Sequence, residues 1–195
     1  MSLKYIFHKL DGFPNPRIKD FFCDTLKQGE GIINGAEMRE AILGHRYPVK
    51  GLFGGVKMVE GFFGLESSRQ AFYDRLMTGD EVARKEGQDQ EIDLLVRVKR
   101  MGPGVLGSMT PGNPWYNLSL AFLEKCFSRR RPHDLFGNSW HEYVHHMGFY
   151  HETKNKAERA YDPAYACGRI GRGLFGGAVM LVEDSKWMNS ACMAG

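Results

Sequence analysis

At 195 residues, with 43% hydrophobic and 25% charged residues, the chain has the composition of a globular protein that can bury a sizeable core. The formal net charge of +3 at pH 7 does not predict a nucleic-acid partner, and no apolar run approaches the roughly 18 residues of a membrane span. The N-terminus has too short an apolar stretch for a secretion signal. A removed leader would be compatible with a secreted or periplasmic protein, so the sequence leaves the compartment open.

Turn residues and apolar spacing predict two short helices within the first 65 residues. One lies in NPRIKDFFCDTLKQG, with Pro16 near its start and Gly29 at its end. The other lies in NGAEMREAILG, with Asn34 as its cap and Gly44 as its stop. A longer helix is predicted from Ser67 to about Glu86, although the internal TGD favours a break in it.

The middle of the chain mixes strand and helix signals. Alternating apolar and charged residues predict a strand from about Ile92 to Arg100. The following GPGVLGSMTPGNPWYNLS predicts short extended pieces between turns, and SLAFLEKCF predicts a helix from Ser119 to Phe127. The four cysteines, Cys23, Cys126, Cys167 and Cys192, form no C-x-x-C pair, which argues against a cysteine zinc site and leaves disulfides open.

The stretch RPHDLFGNSWHEYVHHMG has helix signals at both ends. Pro132 lies near its start, Asp134 is an N-cap candidate, and Gly148 can take the left-handed conformation that ends a helix. At about 100° per residue, four side chains form a core-facing stripe, namely Phe136, Trp140, Tyr143 and Met147. His141 and His145 are four residues apart and lie together on the opposite side.

The sequence HEYVHHMGFYH, from His141 to His151, has the spacing H-E-x-x-H-x-x-G-x-x-H. Two imidazoles at positions i and i+4 of a helix can bind one zinc ion, and His151 becomes a third ligand if Gly148 turns the chain back. Zinc with three protein ligands and one open position lowers the pKa of a bound water toward about 7. Glu142 lies close enough to take the proton. The stretch therefore predicts a catalytic zinc site with His141, His145 and His151 as ligands.

The remaining histidines stand outside this spacing. His146 lies about 100° around the helix from His145 and cannot share its target, so we expect a surface or packing residue. His8, His45 and His133 are expected to be structural or exposed.

The motif resembles the metzincin zinc-binding consensus at all five of its defining positions. A wider block, DLFGNSWHEYVHHMGFYHE followed by DPAYACGRIGR, is similar to small bacterial metallopeptidase-like proteins. In those proteins a Gly-Asn pair precedes the motif and a Pro-Tyr-like segment follows it, whereas here Ala164 separates Pro163 from Tyr165. The likeness extends from about Ser67 onward.

The resemblance implies a zinc endopeptidase with an α+β, zincin-like (metzincin-type) fold: a twisted small sheet, an active-site helix and a short irregular C-terminal lobe. An edge strand near that helix would bind extended substrate by backbone pairing, and GVLGSMT or PWYNLS could supply it. A single domain is expected over residues 1–195. Within it, 1–66 is an unassigned segment, 67–151 is the core with the active-site helix, and 152–195 is the small C-terminal lobe.

The resemblance also implies supporting residues around the metal. Metzincins carry a methionine turn beneath the ion, for which Met180, Met188 and Met193 are candidates. Some metzincins use a downstream tyrosine to stabilise the oxyanion, and Tyr165 is predicted for this role, with Tyr161 as the other candidate.

Two polar residues precede the first histidine ligand on the same helix face. Asn138 and Asp134 lie one and two turns before His141, and either is a candidate to orient its ring. Asp134 is better explained as the helix cap.

The predicted function is a zinc-dependent metalloendopeptidase in which a zinc-bound water attacks the peptide bond and Glu142 is the general base. The expected partner is a peptide or protein substrate. Two alternatives stay open: a zinc amidase acting on a non-protein or cell-wall peptide substrate, and a catalytically silent zinc-containing binding module. The intact Glu142 argues against the binding module, in which a fourth ligand such as Glu152 or Asp162 would close the site.

Overall fold

Ten regular elements follow one another in the described residues of the computed structural model, which are 2–45, 66–78, 91–111, 113–149, 151 and 163–177. In chain order they are β1 (Lys4–Asp11), α1 (Pro16–Ile33), α2 (Ala36–Gly44), α3 (Glu66–Leu76), β2 (Glu91–Lys99), β3 (Gly107–Thr110), β4 (Asn113–Ser119), α4 (Leu120–Ser128), α5 (Pro132–His146) and α6 (Pro163–Phe175). This mixture confirms the predicted α+β class.

The four strands form one open sheet in the order β1-β2-β4-β3. β1, β2 and β4 run parallel, whereas β3 pairs antiparallel with β4 and forms an edge. One face is apolar because buried side chains of neighbouring strands come into register, as Tyr5 does with Ile92 and Val96 with Tyr116. β2 confirms the predicted strand, and GVLGSMT, not PWYNLS, supplies the edge.

The N-terminal segment, unassigned from the sequence, contributes β1 and α1 to the core. Asn15 caps α1 by accepting a hydrogen bond from the Ile18 N–H at 3.1 Å, and Pro16 occupies the first turn. The predicted helix end at Gly29 is wrong: the helix continues past this glycine, which lies against the side chain of Phe136. A Cβ there would lie 2.1 Å from the Phe136 ring. Helix α1 therefore continues for another turn and packs directly against α5.

Asn34 ends α1 and does not cap α2, which corrects the sequence-based assignment. Its backbone N–H donates to the Glu30 carbonyl at 3.1 Å, and its side chain makes two hydrogen bonds to the Leu3 backbone, at 2.8 and 2.9 Å. Helix α2 begins after Gly35 without a side-chain cap and ends at Gly44, as predicted. The Asn34 amide thus ties the end of α1 to the start of the sheet.

The next two helices begin where they were predicted, although α3 is shorter than the predicted range from Ser67 to about Glu86. Helix α3 ends at Leu76, before the TGD sequence that favours a break, and residues 79–90 lie outside the described residues. Helix α4 confirms the helix predicted from Ser119. The Ser119 hydroxyl caps it by accepting from the Phe122 N–H at 3.5 Å.

Helix α5 is buried on almost every side. The predicted stripe lies in the core, as expected: Phe136, Trp140, Tyr143 and Met147. The opposite face is covered as well, because β3 contacts Glu142 and α6 contacts His141. The chemistry-bearing side chains of α5 are therefore held between several elements, not displayed on an open surface.

Helix α6 packs against α5 across two glycines. A Cβ at Gly137 would lie 2.7 Å from the Gly168 carbonyl oxygen, and one at Gly168 would lie 2.9 Å from that of Gly137. The two backbones are therefore in direct contact. The C-terminal lobe, predicted to be irregular, contains a regular helix over residues 163–175, and that helix brings its first turn against the motif histidines.

The described part of the chain gives information on membrane-spanning helices and on the cysteines. No helix there is long and apolar enough to cross a membrane. Two of its cysteines, Cys23 and Cys126, are free thiols.

Candidate metal centre

Asp134 lies in the first turn of α5 and joins this helix to α6. Its carboxylate accepts from Arg131 Nε at 2.5 Å and from Arg172 Nε at 2.6 Å. The helix has no side-chain cap, and Pro132 occupies its first turn, where a missing N–H is harmless. The N-cap prediction for Asp134 is therefore wrong. Its two oxygens bind arginine side chains and do not orient His141.

The chain leaves α5 through Gly148, whose φ of +99° is the left-handed conformation predicted for this position. The N–H groups of Gly148 and Phe149 donate to the carbonyls of His145 and Val144, at 2.9 and 3.2 Å. This tight turn sends the chain back along the last turn of the helix. His151 consequently lies beside His145.

Three imidazole rings converge at this turn. His145 Nε2 lies 3.1 Å from His141 Nε2 and 3.0 Å from His151 Nε2, and one ligand atom from each ring lies within 4.8 Å of the others. In a tetrahedral site with Zn–N bonds of about 2.0–2.1 Å, neighbouring nitrogens are about 3.3 Å apart. The three rings fit the donor set of a metal site, and together they could hold a metal ion.

Backbone carbonyls orient two of the rings. His145 Nδ1 donates to the Phe149 carbonyl oxygen at 2.5 Å, and His141 hydrogen-bonds the carbonyl of Ala164 at the start of α6. A ring nitrogen that donates to a carbonyl leaves the other nitrogen with a lone pair for a metal. Burial, and then the neighbouring His145 and His151, hold the pKa of His141 well below its ordinary value. Its ring is therefore neutral at pH 7, as a ligand must be.

Tyr165 packs against two of the candidate ligands. Its ring centroid lies 4.6 Å from that of His141 and 4.9 Å from that of His151. Helix α6 positions it there, because the residue belongs to the first turn of that helix. Tyr161 and the three candidates for the methionine turn lie outside the described residues.

Glu142 is buried and directs its carboxylate toward the sheet edge. The Met109 N–H on β3 donates to its Oε2 at 3.2 Å, and the Asn138 side chain makes a second hydrogen bond. Burial raises the pKa of Glu142 to about 7, although both hydrogen bonds lower it. A carboxyl group with such a pKa can take and return a proton near neutral pH.

The other described histidines lie outside the cluster. His146 is buried, with Nδ1 3.2 Å from the Thr110 carbonyl oxygen, so it packs between α5 and β3. His8 is exposed on β1 and pairs with Asp93. Burial, and then Arg169, lower the pKa of His45 to about 4. These positions agree with the packing and exposed roles expected from the sequence.

Two supporting groups were not foreseen from the sequence, and a third has another partner than the one proposed. Asn138 was a candidate to orient His141, but its side chain contacts Glu142. The spacing of four residues between Asn138 and Glu142 is a signal that could have identified this pair. The other two groups, the Met109 N–H and the Ala164 carbonyl, belong to the backbone, so no residue type reveals them.

Comparisons of the chain with protein-family profiles, with curated proteins and with solved structures give no match. The resemblance to metzincins therefore rests on the motif. The zincin-like form of the fold stays a prediction.

Proposed function

We propose that the chain is a zinc-dependent metalloendopeptidase that hydrolyses peptide bonds. The observation that carries the proposal is the convergence of three imidazole nitrogens beside a helix that supplies two of them and also carries a buried glutamate. A three-histidine donor set suits zinc, and a purely structural zinc site generally has four protein ligands and needs no general base. Zinc held there would supply Lewis acidity toward a water molecule and a substrate carbonyl.

Glu142 is the general base in this proposal. It takes a proton from the attacking water as the new C–O bond forms, and it delivers that proton to the leaving amine as the C–N bond breaks. Its pKa of about 7 suits both transfers. Tyr165 donates a hydrogen bond to the oxyanion that develops on the carbonyl oxygen, a role that its packing against His141 and His151 supports.

The edge strand β3 is the proposed substrate-binding strand. It packs on α5, and its Met109 N–H binds the Glu142 carboxylate, so a peptide adding to this edge would run alongside the general base. Backbone pairing of this kind recognises an extended peptide irrespective of its side chains. This favours an endopeptidase over an amidase that acts on a non-protein substrate.

The test is cleavage of a diverse quenched-fluorescent peptide library by the zinc-loaded protein, with mass spectrometry to identify the bonds broken. Glu142→Gln should keep its zinc and lose activity by at least about 100-fold, the usual lower range for removal of a general base. Glu124→Gln, at an exposed site on α4, is the matched control and should cleave like the wild type. A folded, zinc-loaded wild type that cleaves no peptide would contradict the proposal. Equal cleavage by Glu142→Gln would reject the assigned base.

A further inference from the structure

A buried tyrosine on the sheet reaches the active-site helix through a single hydrogen bond. The Tyr116 side chain on β4 is 1% exposed, and its hydroxyl donates to Asn138 Oδ1 at 2.9 Å. The Ser139 hydroxyl lies 3.2 Å from the phenol oxygen and 3.0 Å from the Leu135 carbonyl oxygen, and its single proton is shared between these two acceptors. The contact with Asn138 is therefore the shorter of the two hydrogen bonds of the phenol.

This contact determines which way the Asn138 amide faces. An asparagine amide offers one acceptor atom and two N–H donors. Because Tyr116 donates to the oxygen, the NH₂ group is left for the second contact of the amide, which is the Glu142 carboxylate. Asn138 lies four residues before Glu142, so the two side chains are neighbours on α5.

We infer that Asn138, held in a fixed orientation by the Tyr116 hydroxyl, is a positioning residue that aims the Glu142 carboxylate. The inference rests on the proposed function for its catalytic consequence, since it assigns Glu142 as the base whose position matters. The hydrogen-bond chain itself does not depend on that assignment.

The edge strand β3 packs tightly against the hydrogen-bonded side chains of Tyr116, Asn138 and Glu142. A Cβ at Gly107 would lie 2.8 Å from Asn138 Oδ1, 3.0 Å from Tyr116 Cε2 and 3.1 Å from Glu142 Cγ. Two residues later on the same strand, the Met109 N–H donates to Glu142 Oε2. The carboxylate is thus held by two fixed donors, the Met109 N–H and the Asn138 amide, which come from different elements.

The metal ligands have separate supports. The His141 ring hydrogen-bonds the Ala164 carbonyl, and the His145 ring bonds the Phe149 carbonyl. Neither contact involves Asn138. A substitution of Asn138 should therefore change turnover and leave zinc binding intact, whereas loss of a residue that orients a ligand would lower both.

The kinetic test uses Asn138→Leu, which keeps the side-chain size and removes the amide, and Tyr116→Phe, which removes only the hydroxyl. In zinc-loaded protein Asn138→Leu should lower kcat about 10- to 100-fold, the range typical of orienting partners, with KM and zinc content unchanged. Tyr116→Phe should act in the same direction to a smaller extent. Tyr143→Phe is the matched control, because it removes another buried hydroxyl near α5, one that donates to Leu76 O at 2.9 Å. It should leave kcat unchanged.

A double-mutant cycle separates positioning from a general structural role. In the Glu142→Gln background neither Asn138→Leu nor Tyr116→Phe should lower the residual rate further, because the group that they position is gone. Additive losses in that background, or loss of zinc in Asn138→Leu, would overturn the inference.

A measurement that does not depend on turnover tests the inference even if the protein is inactive or the Asn138→Leu variant does not fold. In protein labelled with ¹⁵N at asparagine, the side-chain NH₂ signal of Asn138 is identified as the one that shifts in both Tyr116→Phe and Glu142→Ala. We expect this NH₂ group to lose its protection from solvent exchange in both variants. If the library test fails but this signal behaves as described, the proposed function falls and the positioning contact stands. If no asparagine NH₂ signal responds to Glu142→Ala, the inference is wrong whatever the activity.

Discussion

The candidate metal ligands and the proposed general base are held by different parts of the fold. The ligand side comprises three imidazoles, those of His141, His145 and His151, and it is supported by backbone carbonyls and by the ring of Tyr165 on α6. The carboxylate side comprises Glu142, and it is supported by β3 and by Asn138.

This division is not visible in the motif, where His141 and Glu142 are adjacent. Consecutive residues of a helix point about 100° apart, so each can meet a different neighbour. His141 meets α6, and Glu142 meets the sheet edge. Changes on the ligand side should therefore alter metal affinity, and changes on the carboxylate side should alter turnover. The following substitutions would break or sharpen that distinction.

Replacing His145 with Ala should have the largest effect, because its Nε2 lies within 3.1 Å of both other ligand nitrogens. Zinc affinity should fall by more than about 100-fold, beyond the loss typical of orienting partners. Competition with a chromophoric chelator measures it. His146→Gln, at a buried site in the same helical turn but outside the cluster, should keep its zinc. Equal zinc loss in both variants would contradict the ligand assignment.

His45 tests the packing of α2 near α6, the helix that contacts the candidate histidine ligands. It lies at the C-terminal end of α2, near Arg169 of α6. The folded state keeps this ring neutral down to about pH 4, whereas the unfolded chain takes a proton below about pH 6.5. Its contribution to stability is therefore full above about pH 6.5 and is lost as pH falls toward 4. The loss should reach about 3 kcal/mol, since one pKa unit corresponds to about 1.4 kcal/mol.

Denaturant unfolding of metal-free protein between pH 7.5 and 4.5 measures this dependence. His45→Gln should remove that part of the decline, because glutamine does not titrate. An unchanged pH dependence in the variant would show that other groups cause the acid sensitivity.

Two Gly→Ala substitutions, one on the ligand side and one on the carboxylate side, test both supports with the same added methyl group. Gly168→Ala places a methyl group 2.9 Å from His141 Cβ, and Gly107→Ala places one 2.8 Å from Asn138 Oδ1. Each should lower the free energy of unfolding by about 1–3 kcal/mol through overpacking. Gly168→Ala should weaken zinc binding about tenfold, whereas Gly107→Ala should lower kcat about tenfold with unchanged zinc affinity.

Gly31→Ala is the control for that pair, because a Cβ there meets no atom within 4 Å on helix α1. It should raise the free energy of unfolding by up to about 1 kcal/mol through helix propensity. Equal zinc loss in Gly107→Ala and Gly168→Ala would show that the two sides are not separately supported.

The smallest effect is expected at the ion pair that joins α5 to α6. Arg172→Met removes one partner of Asp134, whose carboxylate keeps its contact with Arg131. The group is partly exposed, so the free energy of unfolding should fall by only about 1 kcal/mol. Thermal unfolding measures it, with the exposed Arg17→Met on α1 as the control. A loss no larger than that of the control would mean that this ion pair does not stabilise the packing of α5 on α6.

The parts of the fold that follow from local sequence were predictable. Alternation in β2, the helix predicted from Ser119 and the apolar stripe of α5 depend on residues close together in the chain. The convergence of the three histidines was predictable for the same reason, since the motif sets their spacing on the helix and after the turn within eleven residues. Gly148 adopts the left-handed conformation that this spacing requires.

The predictions that were wrong concern features that depend on contacts between segments distant in the sequence. Gly29 resembles a helix stop, but in the fold it accommodates the Phe136 ring. The segment 163–175 contains three glycines, which disfavour a helix, yet it forms one that packs on α5 through the contact of Gly137 with Gly168. Strand order and the place of β1 in the sheet likewise depend on pairing that no local pattern encodes.

X-ray absorption at the zinc edge of the reconstituted protein tests the central claim most directly, because it counts the ligands of the bound ion. The account predicts three histidine nitrogens at about 2.0–2.1 Å and one further oxygen ligand, which Glu142→Gln leaves in place and an added chelating inhibitor replaces. A site closed by four protein ligands, or one that keeps its zinc in His145→Ala, would contradict an open catalytic centre and indicate a structural metal in a binding module.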